Sequence, residues 1–511
     1  MKRAAGVVLA VSSLPSPYGI GTFGQAAYDF ADFTAAAGLK LWQLLPLGPT
    51  SYGDSPYQSF STFAGNPYYI DPELLIADGL LTKEEADSLP FGTDPRHVDY
   101  GQMYESRFRM LALAKSRGWQ RDREKVARFE EENASWLPDY TLFMACKRHF
   151  GMRAWMEWPE EIRLRKEPAV RKYRALLRDD IELFTYIQYL FFRQWFALRD
   201  YVHKKGVRLI GDVPIYVAMD SADVWSSPQM FELDEENKPL AVAGVPPDYF
   251  SEDGQLWGNP LYRWDRMKAD GFGWWIRRIE GAGRLYDIIR IDHFRGFDTY
   301  WSVPPEAKTA RPGHWCFGPG MDLIGVLNSW FPQLEFIAED LGTPMDSVEK
   351  LLADSGWPGM KVLEFAFDIE GQSRYVPHRH IENCVCYTST HDNVPLMGWV
   401  KDQKPEEVEY IKRYLHILPG EPFCEGMLRS GMMSVAKYFI APLQDYLGLD
   451  EEHTMNRPGT TSGNWQWRLL PGEASPELAA KIAAQTLLYG RREGKKVIEE
   501  EAEAEEQEEK A

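Results

Sequence analysis

The chain has no excess of positive charge: 57 Lys and Arg stand against 76 Asp and Glu, a net charge of −19. A polyanion such as nucleic acid is therefore not the expected partner, because phosphate binding needs a basic surface. Part of the negative charge sits in the tail at residues 497–511, which from Glu499 on is almost all Glu and Ala. That stretch reads as a solvated tail, disordered or frayed helical, without chemistry of its own. Cysteine is scarce as well. Cys146, Cys316, Cys384, Cys386 and Cys424 are odd in number and scattered, which does not suggest a disulfide framework. Cys384 and Cys386 fit alternate positions of a strand better than metal ligation. There is no HExxH and no paired C-x-x-C, so neither a zinc site nor any other metal is expected. Long apolar runs are missing too, which argues against a membrane span. Met1-Lys2-Arg3 followed by Ala4 to Leu14 has the look of a short secretory signal. The run is brief, however, and leads straight into turn residues Pro15, Pro17 and Gly19, so a buried first strand is the preferred reading and the cytoplasm the expected location.

Aromatics are abundant: 14% of the chain, with 18 Trp among 511 residues. Aromatic faces pack cores and also stack on sugar rings, so the composition permits a carbohydrate site without showing one. Short apolar runs recur at Gly6–Val11, Lys40–Pro46, Val207–Val213, Ile288–Phe294, Glu335–Leu341, Met360–Phe367, Val385–Thr390 and Asn464–Leu469. Several are apolar throughout, as parallel strands covered on both faces require. Helical patterns lie between them, such as Gln25–Ala37. Eight strands alternating with helices predict an α/β fold, a (β/α)8 barrel spanning residues 1–496. About 160 residues separate the second and third runs, too many for a loop. A mostly helical insert is expected at roughly 66–200, and an aromatic loop region at 219–282, both on the barrel's C-terminal rim.

Gly19-Ile20-Gly21-Thr22-Phe23-Gly24 fits G-x-G-x-x-G, yet Ser12 to Tyr18 separate it from its strand and the next strand ends without an acid for a ribose. A glycine-rich loop at the barrel mouth is the better account, and no cofactor is expected. The informative residues are acids at strand ends. In Ile288–Phe294, alternation puts Arg290 and Asp292 on one face. A guanidinium there would keep Asp292 ionised, as a nucleophile requires; a structural ion pair would look the same. Glu339 and Asp340 close another run and point to opposite faces. Glu339 suits a general acid, and a helix cap suits Asp340 better. His391 and Asp392 follow a third run and can grip sugar hydroxyls or cap a turn. Asp212 follows a fourth. Strand ends of a barrel converge on one face, and carboxylates gathered there without a nucleotide or zinc motif point to glycosidic-bond chemistry.

The segments LLPLGPTSYGDSPYQSFSTFAGNPYYID, GDVPIYV, PPDYFSEDGQLWGNPLY, IRIDHFRG, IAEDLG, TSTHDN and MNRPGTTSGNWQWRL carry a resemblance. From near the start to about residue 470, the chain resembles the amylomaltase or 4-α-glucanotransferase family, glycoside hydrolase family 77 of the α-amylase clan. The resemblance implies a retaining double displacement on α-1,4-glucans and maltooligosaccharides, with glucose as an acceptor, by a monomer or homodimer. It implies Asp292 as nucleophile and Glu339 as acid and base. Asp392 would bind sugar hydroxyls and stabilise the transition state. Arg290 would orient Asp292, His391 would contact the same sugar, and Asp212 would support or bind it. Tyr57 would meet the sugar at the cleavage point. Tyr249, Phe250 and Trp257 would lie on a loop covering the groove, and Tyr52 in an additional glucan contact. Two other readings stay open on the residues alone: an α-amylase-type hydrolase, and a non-catalytic glucan-binding protein.

Overall fold

The computed structural model describes residues 2–51, 53–247, 251–342, 344–369, 373–460 and 462–493. The expected sugar contacts Tyr52, Tyr249 and Phe250, and the acidic tail, lie outside the described residues. Twelve strands occur among those described: β1 (Ala4–Val8), β2 (Leu41–Gln43), β3 (Arg208–Pro214), β4 (Val242–Val245), β5 (Gln255–Pro260), β6 (Ile288–Asp292), β7 (Thr299–Val303), β8 (His314–Phe317), β9 (Glu335–Ala338), β10 (Gly359–Val362), β11 (Cys384–Tyr387) and β12 (Tyr438–Pro442). Eight of them close a parallel barrel in the order β1-β12-β11-β10-β9-β6-β3-β2. The expected (β/α)8 architecture is thus the observed one.

Register fixes what faces inward. Asp212 pairs with Arg290, Pro214 with Asp292, and Arg290 with Ile337. Paired residues of parallel strands share a face, and side chains alternate along each strand. The face carrying Asp212, Arg290 and Asp292 is therefore the one that also carries Ile210, Ile288, Ile337, Met360, Val385 and Ile440, a buried cluster separate from the main core. Branched side chains fill the barrel, and the polar residues sit above them at the C-terminal ends, where this fold presents its chemistry.

Seven of the eight expected runs overlap barrel strands; the eighth does not. The closing strand is Tyr438–Pro442, not Asn464–Leu469. Trp465 adopts a left-handed backbone, φ 65°, which ends any extended run there, and Trp467 makes only an isolated bridge to His97.

Between β2 and β3 the chain is largely helical and ends in Arg178–Lys204, whose Phe, Tyr and Trp side chains are mostly buried. Residues from the 219–282 region supply β4 and β5. These join β7 and β8 in a four-stranded antiparallel sheet of order β5-β4-β7-β8. Periodicity did not reveal this sheet, because its strands are short and come from two separate connections. No helix among the described residues is long and apolar enough to cross a membrane.

Candidate active site

The centre of the site is a cation shared by two acids. Arg290 Nη1 donates to both oxygens of Asp212 at 2.7 Å and to Asp292 Oδ1 at 3.2 Å. Arg290 and Asp212 are buried, at 4% and 0% side-chain exposure, whereas Asp292 keeps 29% and opens to the cleft. Asp212 also accepts from the Tyr57 hydroxyl at 2.7 Å. Both of its oxygens are thus engaged by Arg290 and Tyr57.

Glu339 stands one residue past the end of β9. Its backbone N–H donates to Ile291 O at 3.0 Å, and Phe294 N–H donates back to Glu339 O at 3.0 Å. The β6–β9 ladder thus continues beyond both strands and sets the two carboxyl-bearing residues side by side. Glu339 Oε2 accepts from His293 N–H at 2.7 Å, and Oε1 from Leu341 N–H at 3.1 Å. His293 adopts a left-handed backbone, φ 56°, a strained choice for a non-glycine residue that turns its N–H toward Glu339. Asp340 points the other way, as alternation requires. It accepts from Met360 N–H at 2.7 Å and so braces β10 instead of capping a helix.

A second chain of contacts begins at Tyr57. Its hydroxyl lies 2.8 Å from His391 Nε2, and the two rings stack with centroids 5.3 Å apart. The single hydroxyl proton goes to Asp212, which can only accept when ionised, so His391 Nε2 carries a hydrogen and donates to Tyr57. Beside them Asp392, 44% exposed, accepts from Asn456 Nδ2 at 2.6 Å. Trp465 flanks both Tyr57 and His391. On the opposite side, the Trp257 indole meets the His293 ring edge-on at 4.8 Å. Asp212, Arg290, Asp292, Glu339, Tyr57, His391, Asp392 and Trp257 are therefore gathered at one mouth of the barrel. Asn456, Trp465 and His293 belong with them but were not singled out in the sequence. All three lie inside segments that carry the family resemblance, and nothing but the fold distinguishes them from their neighbours.

The electrostatics differ from the expectation that Arg290 simply keeps Asp292 ionised. Burial pushes the Asp292 carboxyl well above the usual carboxylate range; Arg290 opposes this, and Asp212 and Glu339 reinforce it. Burial also raises Glu339, against Arg290 and the His293 N–H. Arg290 is divided between Asp212 and Asp292, and its charge does not offset the burial of Asp292 and Glu339. Burial drives His293 down to about 3, leaving a neutral ring beside Trp257. No group of three or more His, Cys, Asp or Glu among the described residues is arranged to hold a metal ion.

Comparison with known proteins places the chain in a family. The glycoside hydrolase family 77 model, described as 4-alpha-glucanotransferase, matches residues 9–473. The 4-alpha-glucanotransferase of Clostridium butyricum is 45% identical over 94% of this chain and 99% of its own length. That of Thermus thermophilus is 46% identical over 95% and 98%. An amylomaltase from Streptococcus agalactiae, solved in complex with acarbose, superposes with a TM-score of 0.94 at 42% identity over 96% of this chain and all of its own. With its barrel, its strand-end carboxyls and these relatives, the chain belongs to the 4-alpha-glucanotransferase family, glycoside hydrolase family 77.

Proposed function

We propose that the chain transfers α-1,4-glucan segments to the 4-hydroxyl of another glucan or of glucose by two successive displacements. Asp292 attacks the anomeric carbon as the bond to the leaving 4-oxygen breaks, and Glu339 protonates that oxygen. A β-linked glucosyl ester on Asp292 results. An incoming 4-hydroxyl then loses its proton to Glu339 and displaces the ester, which restores the α-linkage. The observation that carries this reading is the pairing of Asp292 and Glu339 across adjacent strand ends, with the His293 N–H fixed on Glu339 Oε2 at 2.7 Å.

The pair needs one proton in the reactive state. Attack requires the carboxylate on Asp292, the acid that Arg290 touches directly, and the proton on Glu339. Arg290 is positively charged despite its burial, because Asp212 and Asp292 outweigh the desolvation. Asp212 in turn holds Arg290 and Tyr57 in place. His391 and Asp392 bind sugar hydroxyls, and Asp392 steadies the positive charge that develops on the ring. Tyr57 and Trp257 offer aromatic surface to the sugar on either side.

Transfer and hydrolysis share the first displacement and part at the acceptor. Walls that limit water access favour a sugar over water. With maltotriose as sole substrate, transfer yields glucose together with longer oligosaccharides. Products limited to maltose and glucose, with an equal gain in reducing ends, would identify a hydrolase instead. All five cysteines are unpaired, as a reducing compartment favours, and we place the chain in the cytoplasm. Its net charge of −19 supports neutral glucans, not nucleic acid, as partners.

A further inference from the structure

Thr388 to Leu396 is the loop that follows β11 and carries His391 and Asp392. Both of its ends meet one side chain. Asp445 Oδ2 accepts from Thr388 Oγ1 at 2.6 Å and from Ser389 Oγ at 2.7 Å, while Oδ1 accepts from Leu396 N–H at 2.9 Å. Asp445 sits in the short helix Leu443–Leu447 directly after β12, so it reaches the loop from the neighbouring strand end. Asp445, Thr388 and Ser389 are all buried, at 0%, 0% and 1% exposure. Three donors and no acceptor surround the carboxyl; they favour its ionised form against burial, which raises it. The neighbouring acid is Glu364, 6% exposed, with no hydrogen-bond partner on either oxygen among the described residues. Burial and the Asp445 charge push Glu364 well up, so it stays protonated and leaves a single charge at Asp445. Between the tethered ends the loop closes on itself. Asn393 Oδ1 accepts from Thr390 N–H and Oγ1, and Thr390 Oγ1 accepts from Asp392 N–H.

We propose that Asp445 is a positioning residue for glucan transfer: one buried carboxylate that fastens both ends of the 388–396 loop and thereby holds His391 and Asp392 against the sugar. It acts without touching substrate. The inference rests on the roles assigned above to His391 and Asp392. A shift of about 1 Å in such contacts costs roughly 100-fold in rate.

Maltotriose transfer kinetics of Asp445→Ala, Asp445→Asn, Ser389→Ala and His391→Ala, with the corresponding double variants, test it alongside thermal unfolding of each protein. Asp445→Ala is expected to lower kcat about 100-fold with far less change in KM. Asp445→Asn should recover most of that loss, because an amide can accept from Leu396 and donate to hydroxyls that reverse. The central readout is coupling. Adding Asp445→Ala to His391→Ala should cost much less than it costs in the wild type, which a general loss of stability would not produce. Where Asp445→Ala fails to fold, Ser389→Ala in the same cycle gives the answer. Losses that simply multiply, or a folded Asp445→Ala with wild-type kcat, would overturn the inference while leaving the site intact. An Asp392→Asn variant with wild-type activity would instead overturn the reading of the site, and this inference with it.

Discussion

Two glutamates on one strand behave in opposite ways. Glu335 opens β9 at the bottom of the barrel, and Glu339 follows its last residue at the top. Glu335 meets Arg208 at 2.8 Å, Lys437 at 2.8 Å and the Tyr438 hydroxyl at 2.7 Å. Burial works against its charge, but these partners outweigh burial and carry it down to about 2. Glu339 is raised by burial, and Arg290, the guanidinium that opposes this, is already bonded to Asp212 and Asp292. Residue type, strand and inward face are the same. The pairing differs: below, two cations bond one acid, and above, Arg290 is divided between Asp212 and Asp292. A surplus of cations makes a carboxylate a structural anchor, and a deficit leaves a proton available for chemistry.

Substitution can break this contrast, and the largest effect is expected at Asp292. Asp292→Asn should reduce maltotriose transfer at least about 10⁴-fold, as loss of a nucleophile does. It should also raise the unfolding midpoint. A carboxyl whose pKa is higher in the folded state adds stability below the ordinary carboxylate range and loses it as pH rises, so a neutral amide is better tolerated at pH 7. A gain of about 0.5–2 kcal/mol is expected in denaturant titrations.

Glu339→Gln should cost about 10²–10⁴ in kcat and remove the alkaline limb of the pH profile. In the wild type both limbs should lie above the usual carboxylate range. The acid limb marks protonation of the pair's carboxylate, and the alkaline limb marks loss of its one proton. An acid limb near pH 4 would contradict the raised pair.

Tyr57→Phe removes the hydroxyl that joins Asp212 to His391 and should lower kcat/KM about 10-fold. The smallest effect on rate belongs to Glu335→Gln, which should leave transfer unchanged. Its cost is in stability. A carboxyl depressed in the folded state stabilises above the ordinary Glu range, and that contribution fades as pH falls toward about 2. Because Glu335 is about one-third exposed, solvent screening limits the loss at pH 7 to about 1–2 kcal/mol. A Glu335 variant that lost activity without unfolding would erase the distinction between the two ends.

The first seven barrel strands were legible because each is a compact apolar run bounded by turn residues. Tyr438–Pro442 escaped notice because it follows an apolar helix, Phe423–Met433, too closely for periodicity to separate them. With it went Asp445, which lies just beyond. The Asn464–Leu469 run alternates convincingly, yet a left-handed Trp465 makes it an irregular segment that flanks the sugar-facing rings.

By itself, the sequence determined which residue types close the strands. Alternation then placed Arg290 with Asp292 and set Glu339 against Asp340. Only the tertiary structure decided how charge is shared among them. Asp212 comes from a strand that the sequence separates from Arg290 by 78 residues, and it takes the stronger share of the guanidinium. Through-space pairing, desolvation and the closing of a barrel by its last strand depend on which chain segments become neighbours. No local pattern of residues encodes that, and it is why Asp292 is raised where its adjacent Arg290 alone would have lowered it.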